Sequence, residues 1–461
     1  MNNYDSIIIG AGAAGLSYAS LMAKHKRKIL LVEKNKYLAG RAAFRPAKDW
    51  NYSKANTKVS CGPHIVPAKA YLEHLLDILD IKHKIPLKPL ASPFIYDDKS
   101  EKVNEVPNTL NILHIIKCLA EFKYLNIKDC HGLLKLAIIA KTNSHEQLIK
   151  KYDSISVRDL MNKHNLKSPE IESLLKVIIE SAVLSIDIDD CPAFDLLIML
   201  RLMMNGIVKK NTIMYEPTKG YGDMHQKMLE SIKENSPESN IILDKEVTSI
   251  ITKNKEAKGI QIGNKKYFAN EVVFAGTPPA FKKVLEKSKL DYTFLKPTLK
   301  LKPAKIYDLM FLSKSKVHNQ KTTWIYLLLN KHQDIQLAPV LIEESAGLKD
   351  YLYHYCFSIS NPKNAKKAVK ILKDQLKQIF GYNFEKEIIW SSFQNLEVYG
   401  TKKTIKLPFS KRAGPRTPYE NLYVIGDSYK CLTTGTDGCA FSAIQLAQIT
   451  LDKDLELKKI L

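Results

Sequence analysis

Residues 7–15 read Ile7-Ile8-Ile9-Gly10-Ala11-Gly12-Ala13-Ala14-Gly15, and residues 30–33 read Leu30-Leu31-Val32-Glu33. The first run predicts an apolar strand that ends in a G-x-G-x-x-G turn and opens a helix. The second predicts a strand closed by an acid. Each glycine has its own physical task. Gly10 permits the tight turn, Gly12 lets the backbone approach a pyrophosphate, and Gly15 lets the helix pack on the strand. The helix start, with Ala13 and Ala14 in its first turn, offers unpaired N–H groups and a positive dipole end to phosphate. Glu33 stands eighteen residues after Gly15, where a carboxylate accepts hydrogen bonds from adenosine ribose hydroxyls. In this order the elements predict a dinucleotide-binding βαβ unit. A tight βα turn with no ligand is the other reading of the same residues.

Composition bounds the rest. A chain of 461 residues predicts two interleaved domains, and 45% hydrophobic residues is ordinary for a globular core. The formal net charge is +22, yet only seven of the 70 basic residues are Arg. Phosphate and nucleic-acid sites favour the Arg fork. No aromatic-basic motif is visible either, so no nucleic-acid partner is expected. Two readings of the lysine excess stay open: a solvated surface reflecting compositional bias, and a face for anionic membrane. Seven cysteines, an odd number without C-x-x-C spacing, predict reduced thiols and a cytoplasmic setting. No metal-ligand spacing appears. The first apolar run reads as a strand rather than a signal peptide, and no stretch approaches the roughly 20 apolar residues of a membrane span.

After Glu33 the chain runs Lys34-Asn35-Lys36-Tyr37-Leu38-Ala39-Gly40-Arg41. This resembles the E-x(5)-G-G-R extension of the phytoene desaturase and amine oxidase flavoproteins, with Ala39 in place of the first glycine. Further landmarks of that superfamily follow in order. Cys61-Gly62-Pro63-His64 resembles a G-P-H segment placed beside the flavin. Pro217-Thr218-Lys219-Gly220-Tyr221-Gly222-Asp223-Met224 resembles a P-x-G-G-x-G-x-L turn that opens a helix, with Lys219 where the family has Gly. Residues 241–250, which include Val247, and 271–278 resemble the strands at the adenine end. Asn421-Leu422-Tyr423-Val424-Ile425-Gly426-Asp427 resembles the C-terminal flavin motif. It is followed by Thr434-Gly435-Thr436-Asp437-Gly438-Cys439-Ala440 and a helix over 441–449.

The resemblance implies FAD, bound non-covalently. It places Gly10, Gly12, Ala13, Ala14, Gly15, Glu33 and Lys34 on the ADP half, Gly40 and Arg41 at the pyrophosphate, and Val247 at the adenine. Gly62, Pro63, His64, Gly438 and Cys439 would lie by the flavin, with Gly426-Asp427 accepting hydrogen bonds from the ribityl chain. The landmarks predict an α/β fold. A Rossmann-type, glutathione-reductase-like FAD-binding domain (1–70, 215–290 and 415–461) is interleaved with an α+β substrate domain (71–214 and 291–414).

Within the second domain, residues 108–150 carry Leu110, Leu113, Ile116, Leu119, Leu133, Leu134, Leu136 and Ile138 at helical spacing among Lys117, Lys123, Lys128, Lys135 and Lys141. The pattern fits a core-facing helix pair first, and also an interfacial membrane helix. Ser156-Val157-Arg158-Asp159 predicts a capped helix start. Residues 303–313 and 351–359 read as strands and 364–380 as a helix, between Pro362 and Gly381. Tyr351, Tyr353, Tyr355 and Phe357 alternate onto one face, as a core stripe or as the wall of a substrate tunnel.

A flavin carries the hydride step itself, so the protein need only hold the ring, present a substrate C–H and exclude water. No catalytic triad or carboxylate pair stands out. The resemblance implies desaturation or saturation of a carbon–carbon bond in a hydrophobic isoprenoid, polyprenyl or carotenoid-type small molecule, in a peripheral membrane setting. An amine oxidase is an alternative, with Lys305 in the place of the lysine that bonds flavin N5 through water. A protoporphyrinogen oxidase is another; His64 is the second catalytic candidate. A reading of another class is a prenyl-binding carrier resembling Rab GDP-dissociation inhibitors, which share the fold without the flavin. Nothing in the pattern sets an oligomeric state.

Overall fold

The strand Asn3–Ile9 sits centrally in a seven-stranded sheet. The architecture is that of a computed structural model that describes residues 3–50, 58–60, 62, 65–89, 94–97, 101–105, 126–183, 187–210, 212, 214–217, 220–313, 325–328, 335–342, 351–359, 365–380, 383–457 and 460. Ile7 and Ile8 are wholly buried. A strand covered on both faces needs such a continuous apolar run rather than alternation. Ile29–Val32 pairs parallel on one side of it and Lys265–Phe274 on the other. Asn240–Ile242 extends the first side and Leu422–Val424 the second, both parallel. The chain therefore leaves the first strand in one direction and returns on the opposite flank. Such a reversal, at the carboxyl end of Asn3–Ile9, marks the usual ligand position in a doubly wound sheet. Glu256–Ile262 and Ser249–Lys253 complete the sheet as an antiparallel meander.

The pleat sends alternate residues to different cores. Ile8, Leu31 and Val273 join a cluster with Leu16, Met224 and Ile444 from the helices Ala13–Lys24, Gly220–Asn235 and Gly435–Leu451. Ile7, Leu30 and Val272 join Val247, Ile260 and Phe281 on the other side. The first helix comes very close to its strand. A Cβ built on Gly15 would stand 1.8 Å from the Gly10 carbonyl oxygen.

The last helix differs from expectation. It spans Gly435–Leu451 rather than starting at 441. The run of glycines and small polar residues reads as loop by propensity, but tertiary contacts override it. Asp437 accepts the Leu72 N–H at 2.8 Å. Gly438 lies against the preceding loop, where a Cβ would meet Thr433 O at 2.8 Å and Cys431 Sγ at 2.9 Å.

A second seven-stranded sheet runs in the order Ile388–Thr401, Pro303–Ser313, Tyr351–Ile359, Ile335–Ile342, Ile325–Leu328, Phe94–Asp97, Lys102–Glu105. Its pairings are antiparallel except that of Ile325–Leu328 with Phe94–Asp97. The strands expected at 303–313 and 351–359 pair with Tyr307 opposite Phe357 and Ser313 opposite Tyr351. The side chains of Tyr351, Tyr353, Tyr355 and Phe357 lie outside the described residues. Helices Ile127–Thr142, His145–Tyr152, Val157–Lys163, Pro169–Val183 and Ala193–Lys210 lie between the two parts of the second sheet in sequence. Capping boxes start three of them, at Asn126/Asp129, Ser144/Gln147 and the expected Ser156/Asp159. The expected helical stretch at 108–125 lies outside the described residues. Residues 365–380 form the anticipated helix Ala365–Phe380; Pro362 and Gly381 lie outside the described residues.

The contact at Gly15 yields a direct check. Gly15→Ala should cost at least about 3 kcal/mol, because backbone must move to admit the methyl group. Urea unfolding measures this; a loss below about 1 kcal/mol would contradict the close approach.

Candidate functional site

The turn after the first strand is built from backbone. Gly10 has φ +106°, and its N–H donates to Val32 O at 2.7 Å. Glu33, at the end of the second strand, is buried and ties the local structure together. Its Oε2 accepts the Ala11 N–H at 2.8 Å, and its Oε1 accepts the Asn35 backbone and side-chain N–H groups at 2.9 and 2.7 Å. An ionised carboxylate has about four acceptor sites, so capacity remains for hydroxyls of a ligand. Gly12 is the N-cap of the first helix. No side chain caps that end, and no acid lies in the first turn. A Cβ on Gly12 would meet nothing within 4 Å. An uncapped, positively polarised helix start with open space at Gly12 fits a dinucleotide pyrophosphate.

The next segment folds back onto this turn. Ala39 donates its N–H to Ala11 O at 2.7 Å and forms a bridge with Gly12. It adopts φ +70°, a left-handed conformation costing an L-residue about 1–2 kcal/mol. That accounts for the glycine the family pattern carries there. Gly40, at φ +53°, would bring a Cβ within 3.5 Å of Gly12 Cα. Arg41 follows, and its Nη2 donates to Asp427 Oδ1 at 3.0 Å. Two predicted site segments 386 positions apart therefore meet.

Asp427 is held from several sides. It is 4% exposed and follows Gly426, which has φ +133° and donates its N–H to Ser442 Oγ at 2.9 Å. Burial opposes its charge. The charges of Arg41 and Lys403 and hydrogen bonds from Arg41 and Ser428 outweigh burial and hold the carboxyl below the usual carboxylate range. Lys403 escaped the sequence reading. Its side chain is wholly buried and its Nζ donates to Asp427 O at 3.0 Å. Burial first, and the neighbouring Arg412 charge second, push its ammonium below the usual lysine range. Arg412 itself faces Asp195 at 3.7 Å, with both side chains almost fully buried.

The other predicted residues are placed as follows. Ala13 and Ala14 open the first helix. Lys34 is exposed beside Glu33, Gly62 is buried, and Val247 packs in the core that holds Ile7 and Leu30. Gly438 and Cys439 lie in the first turns of the last helix; burial pushes the Cys439 thiol well up. Pro63, His64 and the Lys305 side chain lie outside the described residues. Among the described residues, no group of three or more His, Cys, Asp and Glu could hold a metal. Among them, too, no helix is long and apolar enough to cross a membrane.

Residues 8–81 match the family model of the NAD(P)-binding Rossmann-like domain. The UDP-galactopyranose mutase of Mycoplasma genitalium is 26% identical over 98 residues, which is 19% of this chain and 22% of that protein. The chain thus matches about a fifth of that curated relative's length. Putrescine oxidase bound to putrescine superposes with a TM-score of 0.71 at 10% identity, over 98% of this chain and 100% of that one. Rab GDI from Plasmodium falciparum superposes with a TM-score of 0.64 at 15% identity, over 97% of this chain and 98% of that one. The chain has a mixed α/β fold with a Rossmann-like dinucleotide-binding domain, and its architecture is shared with these two proteins.

Asp437 offers a pH test of the last helix. Burial raises its carboxyl to about 6, against hydrogen bonds from Leu72 and Thr433. Between about pH 4 and pH 6 the native protein keeps this proton while the unfolded chain loses it. Stability from this group is therefore full below about pH 4 and declines as pH rises through about 6. Asp437→Asn keeps an acceptor for Leu72 and carries no charge. It should be roughly 3 kcal/mol more stable than wild type at neutral pH, with the gain vanishing near pH 4. Denaturant melts at the two pH values decide; an equal difference at both would contradict the buried carboxyl.

Proposed function

We propose that this chain is an FAD-dependent oxidoreductase. The ion pair between Arg41 and Asp427 carries the reading. A nicotinamide dinucleotide could use the glycine turn and Glu33 alone. The additional reach of Arg41 to a buried Gly-Asp pair at the far end of the chain suits a longer cofactor, with pyrophosphate at one end and a polyol linker at the other. In this reading residues 10–15 hold the pyrophosphate, Arg41 adds a cation beside it, and Glu33 receives ribose hydroxyls. Asp427, kept ionised, receives the hydroxyls of the ribityl chain. The cofactor-holding part comprises 1–70, 215–290 and 415–461, and the remainder receives the substrate.

Bound FAD supplies a two-electron acceptor or donor. The chain's own residues bind and orient it and keep solvent out. Lys403 fixes the Asp427 carbonyl from beneath, and Glu33 fixes the glycine turn. For the substrate, the sequence resemblance favours a hydrophobic molecule whose carbon–carbon bond is desaturated or saturated. The fold shared with putrescine oxidase supports an amine as the alternative. The fold shared with Rab GDI supports a second reading, a carrier of prenylated protein without redox chemistry.

An absorbance spectrum before and after anaerobic reduction separates these. Flavin bands that bleach, with FAD released on denaturation, are expected. Asp427→Ala should lower FAD affinity at least about tenfold, since a charge-assisted hydrogen bond is lost. A colourless protein that takes up no added FAD would move the assignment to the carrier.

A further inference from the structure

The helix Ile127–Thr142 carries apolar residues on two opposite faces, and the protein covers only one. Gly132, Leu136 and Ala140 are buried on the inner face. Gly132 lies so near Leu166 that a Cβ would stand 1.9 Å from its Cδ2. At the helix start the Asn126/Asp129 capping box is braced by the Ser168 hydroxyl, which donates to Asp129 at 2.8 Å. Near its end Arg201 Nε donates to Ala140 O at 2.6 Å. The helix is thus locked in rotation against its neighbours.

The outer face holds Ile127, Leu134 and Ile138, which are 88%, 58% and 52% exposed. These are three of the four exposed large hydrophobics among the described residues. At 3.6 residues per turn they fall within about 40° of one another. Exposed Lys128 and Lys135 border this seam, while the Lys141 Nζ donates to Asn205 Oδ1 of the protein at 2.8 Å. The helix's one acid, Asp129, is turned inward and occupied by the cap. An apolar seam bordered by cations is the pattern of a helix lying in a lipid interface.

We propose that this face docks the protein on an anionic lipid bilayer. Ile127, Leu134 and Ile138 enter the acyl boundary, and Lys128 and Lys135 sit at the headgroups. Charge complementarity selects the occupant, and the chain's net charge of +22 adds long-range attraction. A seam of three side chains is far short of the roughly 800 Å² per partner that a stable protein interface needs. The inference stands independently of the cofactor assignment.

Vesicle co-sedimentation of the full chain tests it, using phosphatidylcholine vesicles with and without phosphatidylglycerol. Binding to the anionic vesicles at low salt is expected, and high salt should weaken it about tenfold. Leu134→Glu combined with Ile138→Glu should lower partitioning at least about tenfold. Lys128→Glu combined with Lys135→Glu should do the same. Both pairs are exposed, so unfolding curves should match wild type. No binding at low salt, equal binding to vesicles lacking phosphatidylglycerol, or variants that bind like wild type would overturn the proposal. So would a dimer in sedimentation that the Leu134/Ile138 pair dissolves, which would assign the face to a second copy.

Discussion

The close approach of residues 10 and 15 is the constraint on which the site depends. With no Cβ at Gly15, the first helix can lie against the turn that ends the first strand. Its uncapped end then lies where the sheet reverses direction. Neighbouring segments are positioned from this point. Ala11 supplies the N–H that fixes Glu33 and the carbonyl that fixes Ala39. Ala39 accepts an unfavourable backbone conformation to bring Gly40 against Gly12 and aim Arg41 at Asp427. A sequence of local contacts thus carries the N-terminal motif to the other end of the chain.

Around Asp427 the protein buries several charges. Asp427, Lys403, Arg412 and Asp195 are all nearly inaccessible. Removing an ion from water costs several kcal/mol unless partners offset it. Here Lys403 meets a carbonyl and neighbouring acids, while Arg412 faces Asp195. Burial nevertheless leaves the Asp195 carboxyl above, and the Lys403 ammonium below, the ordinary range. A core built for stability alone would gain from apolar replacements at such positions. Groups with displaced proton affinities tend to cluster at functional sites.

The parts legible in the sequence are those encoded locally. An unbroken Ile7-Ile8-Ile9 run, three spaced glycines and an acid after a second apolar run suffice to specify strand, turn, helix and parallel partner. Ser156 and Asp159 announce a helix start for the same reason, since the cap involves residues three apart. The start of the last helix was hidden because Gly435 and Gly438 are poor helix formers. Their place is set by Leu72 and by the 431–433 loop, which are distant in sequence or unpatterned. Lys403 was hidden by abundance, since one lysine among so many carries no signal until burial singles it out. Residues 108–150 supported two readings because apolar residues at helical spacing are interleaved with lysines; within Ile127–Thr142 the packing of Gly132 on Leu166 shows which face is covered. Ala39 stood out as a departure from the family pattern, but its left-handed backbone explains what the departure costs.

Titration calorimetry of cofactor-free protein with FAD and with NAD would test the account most directly. In the proposed assignment both ligands would present an ADP half to the glycine turn and Glu33, and only FAD would offer a ribityl chain to Asp427. FAD should bind at least about tenfold tighter than NAD. Asp427→Ala should remove most of that difference while leaving NAD binding unaffected. NAD binding as tightly as FAD, or an FAD affinity indifferent to Asp427, would contradict the coupling of the two ends of the chain into one cofactor site.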